Sequence, residues 1–206
     1  MTNIDWLIVG LGNPGIKYEK NRHNVGWMVI DAIIKKYGLN ETQESKKYIF
    51  SKWSFKRKNV ILVKPLTFMN LSGKAVQALK IKYKIPDERI LVVVDDYNFP
   101  VGKVHLKAGG SDGGHNGIAS IIEETKKNSF YRLRCGIGND FPKGMLVEYV
   151  ISDFRTEEID DLNNMINKAV QSIETVVEFG AARAMTLINS ERLWKNLPIK
   201  NEDTND

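Results

Sequence analysis

The chain has 206 residues, 42% hydrophobic and 27% charged, which suits one globular domain able to bury a core without disulfide or metal staples. Its only cysteine, Cys135, excludes an internal disulfide, no apolar run approaches the roughly 18 residues of a membrane span, and the N-terminal MTNIDW lacks a signal-peptide pattern. The formal net charge of +5 fits either a solvated lysine-rich surface or an anionic partner, in an expected cytoplasmic setting.

In chain order, strands and helices alternate. Residues 6–9 form a short apolar strand. Val25, Met28, Val29, Ala32 and Ile33 then repeat at the spacing of one buried helix face, with Asn24 as the expected N-cap and Gly38 as the stop. Residues 48–55 alternate like a half-buried strand, and 60–63 supply a second one. A helix fits 72–83, ended by Pro86. ILVVV at 90–94 is a continuous apolar run, as expected of a central strand buried on both faces. Val104 and Leu106 mark a further strand, 118–125 a helix and 131–137 a strand. The longest helix is expected over 157–179, capped by Thr156 and ended by Gly180, with a shorter one at 181–189. This alternation predicts a single compact α/β domain over residues 1–195: a mixed, mostly parallel twisted sheet with helices on both faces. Residues 196–206, ending in NEDTND, read as a polar disordered tail.

In such folds ligands bind beyond the carboxyl ends of the strands. Val9 is followed by GLGNPGIKYEKNRHN, Val63 by KPLTFMNLSGKA, Val94 by Asp95-Asp96, and Leu106 by KAGGSDGGHNG. Asn13, His23, Asn70, Asp95, His115 and Asn116 therefore gather at strand ends, where packing alone gives no reason for them.

Gly10-Leu-Gly12-Asn-Pro-Gly15 satisfies G-x-G-x-x-G letter for letter. A dinucleotide turn, however, must open a helix directly onto the pyrophosphate. Here helical periodicity begins only near Val25, and the acidic candidate Asp31 falls inside that helix. Gly109-Gly110-Ser111-Asp112-Gly113 matches the G-x-S-x-G elbow, but the only histidine beyond Ser111 is His115, in the same loop, which argues against a serine nucleophile. No spacing of histidines, cysteine and carboxylates supports a metal site. His23 is left as the acid–base candidate, since imidazole titrates near neutrality and can deprotonate water directly. Asp95, ending a buried strand, is placed to orient it. Asn13, Asn70 and Asn116 can donate amide N–H groups to a developing oxyanion or accept from a substrate N–H.

VGLGNPG-x-x-Y-x-x-x-RHN-x-G, KP-x-TFMNLSGKAV, GSDGGHNG and RLR-x-GIG, in that order, resemble the bacterial peptidyl-tRNA hydrolase family. The resemblance implies an esterase that cleaves the bond between a peptide and the 3′ end of tRNA without a cofactor, as a monomer. It implies His23 as general base, Asp95 as its orienting carboxylate, and Asn13 and Asn70 as catalytic-cleft residues. Asn116 and Gly114 would hold the peptide side, Tyr18 and Met69 would shape the cleft, and Lys107 and Arg134 would meet the tRNA 5′ phosphate. Asn98 departs from the family pattern, standing where many members carry aspartate. A non-catalytic RNA-binding relative is the main rival; it would not require the His23, Asp95 and asparagine set.

Overall fold

The computed structural model describes residues 3–195; the expected tail at 196–206 lies outside the described residues. Seven strands form one sheet: β1 (Trp6–Gly10), β2 (Thr42–Ser45), β3 (Tyr48–Phe55), β4 (Lys58–Pro65), β5 (Ile90–Asp96), β6 (Val104–Ala108) and β7 (Tyr131–Gly136). Their order is β2-β3-β4-β1-β5-β7-β6. The central strands β4, β1, β5 and β7 run parallel, while β3 and β6 run antiparallel to their neighbours.

The helices are α1 (Val25–Tyr37), α2 (Ser72–Tyr83), α3 (Asn116–Thr125), α4 (Leu146–Val150), α5 (Ile159–Phe179) and α6 (Ala181–Asn189). The two-residue period of the strands divides the core. Trp6, Ile8, Leu91 and Val93 face α1, α5 and α6, whereas Leu7, Val9, Val92 and Val94 face α2 and α3. β1 and the ILVVV part of β5 are therefore continuously apolar, because both of their faces are covered. Each fully buried aliphatic side chain here contributes about 1.5–3 kcal/mol relative to exposure.

The first connection packs α1 on one face and the next packs α2 on the other, so the ends of β1 and β5 flank the crevice where such folds bind ligands. Close backbone approach sets that crevice. A Cβ on Gly10 would lie 2.3 Å from Gly26 O, and one on Gly26 would lie 2.4 Å from Leu11 N. The first two glycines of the G-x-G-x-x-G stretch are thus taken up by their own helix: Gly10 backs onto Gly26, and Gly12 onto the Trp27 ring. No cradle for a pyrophosphate remains there.

Several local expectations are corrected. Asn24 precedes α1 but makes no side-chain cap; its amide turns back to the β1 loop. α2 stops through Lys84 in the left-handed region, φ 53°, before Pro86 is reached. Thr156 does not cap the long helix: a 3-10 turn at Thr156–Glu158 precedes α5, and the Glu158 carboxylate accepts the Arg155 N–H at 2.7 Å. β2 and α4 have no counterpart in the sequence reading.

The two sheet edges differ. β2 is short and mostly exposed. On β6, the Asn189 side chain accepts from Leu106 N and donates to Leu106 O, both at 2.9 Å, taking the place of a neighbouring strand.

Candidate active site

A cavity of about 400 Å³ lies at the carboxyl ends of β1 and β5. Its lining includes Asn13, His23, Met69, Asn70, Asp95, Lys107, Gly114, His115, Asn116 and Arg134. Tyr18 is outside that lining; it closes a 3-10 turn at Ile16–Tyr18 under Lys17.

Asp95 is buried at the end of β5, and His23 sits in the 3-10 turn Arg22–Asn24 that follows the β1 loop. His23 Nδ1 lies 2.9 and 3.0 Å from the two Asp95 carboxylate oxygens. A carboxylate accepts only, so Nδ1 carries the proton and Nε2 presents its lone pair. Nε2 has no protein partner among the described residues and reaches the cavity surface. Burial alone would push the His23 imidazole down; the Asp95 charge and hydrogen bond override it and hold it above its ordinary value. For Asp95, burial pulls upward, and the His23 and His115 partners bring the carboxyl well below the usual carboxylate range.

Sequence reasoning gave His115 no role, yet it is the second partner of Asp95. Its Nδ1 accepts the N–H groups of Gly117 (3.1 Å) and Ile118 (3.3 Å), capping α3. The proton therefore sits on Nε2, which donates to Asp95 Oδ1 at 2.9 Å. The strand-end rule does not explain its arrival. β6 is antiparallel, so the loop after it starts at the far end of the sheet. Four glycines with positive φ, at 109, 110, 113 and 114, let that loop climb back to the level of Asp95. The Arg132 guanidinium pins it by donating to Gly110 O and Ser111 O.

The ligating atoms of His23, Asp95 and His115 lie within 4.8 Å of one another, close enough for an ion. The hydrogen-bond polarity fits protons instead. Coordination through His115 Nε2 would move its ring proton to Nδ1, against the two backbone N–H groups already aimed there.

Asn13 and Asn24 grip each other in the crevice. Asn13 N donates to Asn24 Oδ1 (2.9 Å) and Asn24 Nδ2 donates to Asn13 O (3.0 Å). Asn13 Oδ1 in turn accepts from Met69 N at 2.8 Å. This fixes the amide orientation and leaves its NH2 group without a protein partner among the described residues, on the cavity surface. Asn70 and Asn116 are exposed within the same lining. No serine or cysteine hydrogen-bonds to either imidazole among the described residues. Cys135 is fully buried, and burial, with the Asp95 and Asp96 charges, pushes its thiol upward.

The cations are unequal. Arg134 Nε donates to Asp96 Oδ2 at 2.5 Å, and its guanidinium lies 4.5 Å from the Phe99 ring centroid. Asn98 completes that arrangement, giving Asp96 Oδ1 its N–H at 2.9 Å and its side-chain amide at 3.0 Å. Lys107 has no ion pair among the described residues. Phe68, the α4 residues Leu146, Val147 and Val150, and Ile151 just after α4 give the same cavity an apolar wall.

Fold and cavity together define an α/β protein whose centre is an imidazole–carboxylate pair with an open nitrogen, ringed by amides. Residues 7–196 match the family model for peptidyl-tRNA hydrolase, and the chain belongs to that family. It is 42% identical to a Thermodesulfovibrio yellowstonii peptidyl-tRNA hydrolase, covering 89% of this chain and 98% of that protein. A Bacillus cereus peptidyl-tRNA hydrolase is 44% identical over 89% of this chain and 99% of its own. The crystal structure of the Acinetobacter baumannii peptidyl-tRNA hydrolase aligns with TM-score 0.85 and 32% identity, over 92% of this chain and 98% of that one.

Proposed function

We propose that this chain carries out the hydrolysis its family is named for by direct water attack, with His23 as general base. The observation that carries the reading is the His23 Nδ1–Asp95 pair with Nε2 open to the cavity. Water bound to Nε2 gives up a proton as its oxygen attacks the ester carbonyl linking peptide to the tRNA 3′ end. The imidazolium is stabilised by Asp95, whose second hydrogen bond from His115 holds the carboxylate in place. The oxyanion is met by amide N–H groups of Asn13 and Asn70. Collapse expels the ribose oxygen, which takes the proton back from Nε2, leaving a free peptide acid and tRNA.

Asn116 and Gly114 hold the peptide side, and Met69 shapes the cleft and fixes the Asn13 amide. Tyr18 acts from outside the cavity lining, on the approach to it. Lys107 and Arg134 attract the tRNA backbone and its 5′ phosphate; phosphate contacts of this kind tolerate many sequences and weaken with salt. No metal takes part, and the enzyme works as a cytoplasmic monomer, where translation supplies the substrate. No helix among the described residues is long and apolar enough to cross a membrane.

The test is hydrolysis of an N-acetylaminoacyl-tRNA in the presence of a transition-metal chelator, with His23→Ala beside the wild type. Turnover should vanish in the variant while tRNA binding persists. Wild-type turnover by the variant would remove His23 from the mechanism, and loss of wild-type activity with chelator would reinstate a metal.

A further inference from the structure

Arg22 is among the most deeply buried large side chains of the described residues, 1% exposed, and the water-activation scheme gives it no task. It directly precedes His23 in the same 3-10 turn. Its N–H donates to Ser152 O at 3.0 Å, and a bridge joins Asn21 to Asp153 alongside. Its guanidinium donates through Nη1 to Ile137 O (2.8 Å) and Glu158 Oε1 (3.1 Å), and through Nη2 to Glu158 Oε2 (2.5 Å). The same group lies 4.4 Å from the Tyr149 ring centroid and 4.7 Å from that of Phe154. Tyr149 OH donates to Ile137 O as well, at 2.7 Å. Burial would raise the Glu158 carboxyl; the Arg22 hydrogen bonds override it and hold it below its ordinary value, so the pair is ionic.

These contacts bind one arginine to the end of β7, to α4, to the segment after α4 and to the entry of α5. α4 is only five residues long and places three apolar side chains on the cavity wall, with Ile151 following directly after it. A helix this short does not hold its place by its own hydrogen bonds. We infer that Arg22 is a positioning residue that fixes the apolar wall α4 and the general-base turn in a single register. Five donors in a planar fork can serve three acceptors while the flat faces rest on two rings; a lysine ammonium cannot. Arg22 thus acts on substrate binding through α4 and on proton transfer through His23. The inference rests on the reading of His23 as general base.

The experiment measures kcat, KM and the pH profile of kcat/KM for N-acetylaminoacyl-tRNA with wild type, Arg22→Lys, Glu158→Gln and Tyr149→Phe. Arg22→Lys should raise KM and lower kcat together, each on the order of tenfold, as expected when reacting groups are displaced by an ångström or less. Its acid limb should also move to lower pH as the His23–Asp95 contact loosens. Tyr149→Phe, which removes only the tie between α4 and Ile137 O, should raise KM and leave kcat and the limb in place. If Arg22→Lys does not fold, Glu158→Gln takes its place with the same directions and smaller size. A folded variant of lower melting temperature but wild-type kcat, KM and pH limb would reduce Arg22 to a structural residue and overturn the inference. A wild-type profile without an acid limb would instead overturn the general-base reading, so the two failures are distinguishable.

Discussion

The cavity floor and its basic side are built on opposite principles. On the floor, Asp95 is buried and accepts from two imidazoles, Asn13 is held by Asn24 and Met69, and the groups left free are those facing the cavity. On the basic side, Arg134 is engaged with Asp96, Arg132 with loop carbonyls, and Lys107 has no ion pair among the described residues. The floor is preorganised in low dielectric, where a misplaced dipole is costly. Arg132 is itself buried, but Lys107 is exposed and Arg134 partly so, where water and salt screen their charges. Rate should therefore reside in the floor and affinity in the rim.

The sharpest way to break that division is His23→Ala, expected to lower kcat about 10²–10⁴-fold, the range for a positioned general base, with little change in tRNA binding by filter retention. Asp95→Asn comes next and carries a signature in pH. Only neutral His23 is a base, and its pKa is held above 6.5, so activity should rise with pH with a midpoint above that value. Without the Asp95 charge, burial dominates and the midpoint should fall below 6.5, while the plateau also drops because the tautomer is no longer enforced. A profile unmoved by this substitution would separate Asp95 from His23. Asn13→Ala should cost roughly 10² in kcat as an oxyanion donor, with KM nearly unchanged. A change confined to KM would transfer Asn13 from the floor to the rim. The smallest effects belong to the cations. Lys107→Gln should raise KM a few-fold and reduce the slope of log affinity against log salt by about one. Arg134→Gln should alter that slope less, because its charge is already partnered; equal slopes would remove the distinction between them.

The sequence made the apolar strands and the strand-end polar residues legible because both follow from periodicity and burial. The double alternation of β1 and β5 needed only their residue types. α4 was hidden because LVEYV is too short to display a helical period, and β2 because TQES is an exposed polar edge without alternation. Asn24 was misread by type: its residue and place suit a cap, but its amide meets a backbone eleven residues earlier. His115 was visible within GSDGGHNG, yet its partner is 20 residues away, across a reversal of strand direction that composition does not encode. Arg22 escaped because a charged residue is expected outside, and the groups that offset its burial, Ile137 O and the Glu158 carboxylate, lie 115 and 136 residues away. Asn98 shows the converse. Its residue type reads as a departure, and its role is local: its backbone and side-chain N–H groups serve the same Asp96 oxygen.

The Asn189 side chain on β6 bears on the order of synthesis. That strand leaves its Leu106 N–H and C=O open until a residue 83 positions later has been made and α6 has docked. A nascent chain shorter than this carries a bare strand margin, the kind of surface that recruits a second chain. The final helix thus acts as a closing latch: truncation before Asn189, or Asn189→Ala, should produce self-association before it produces loss of chemistry.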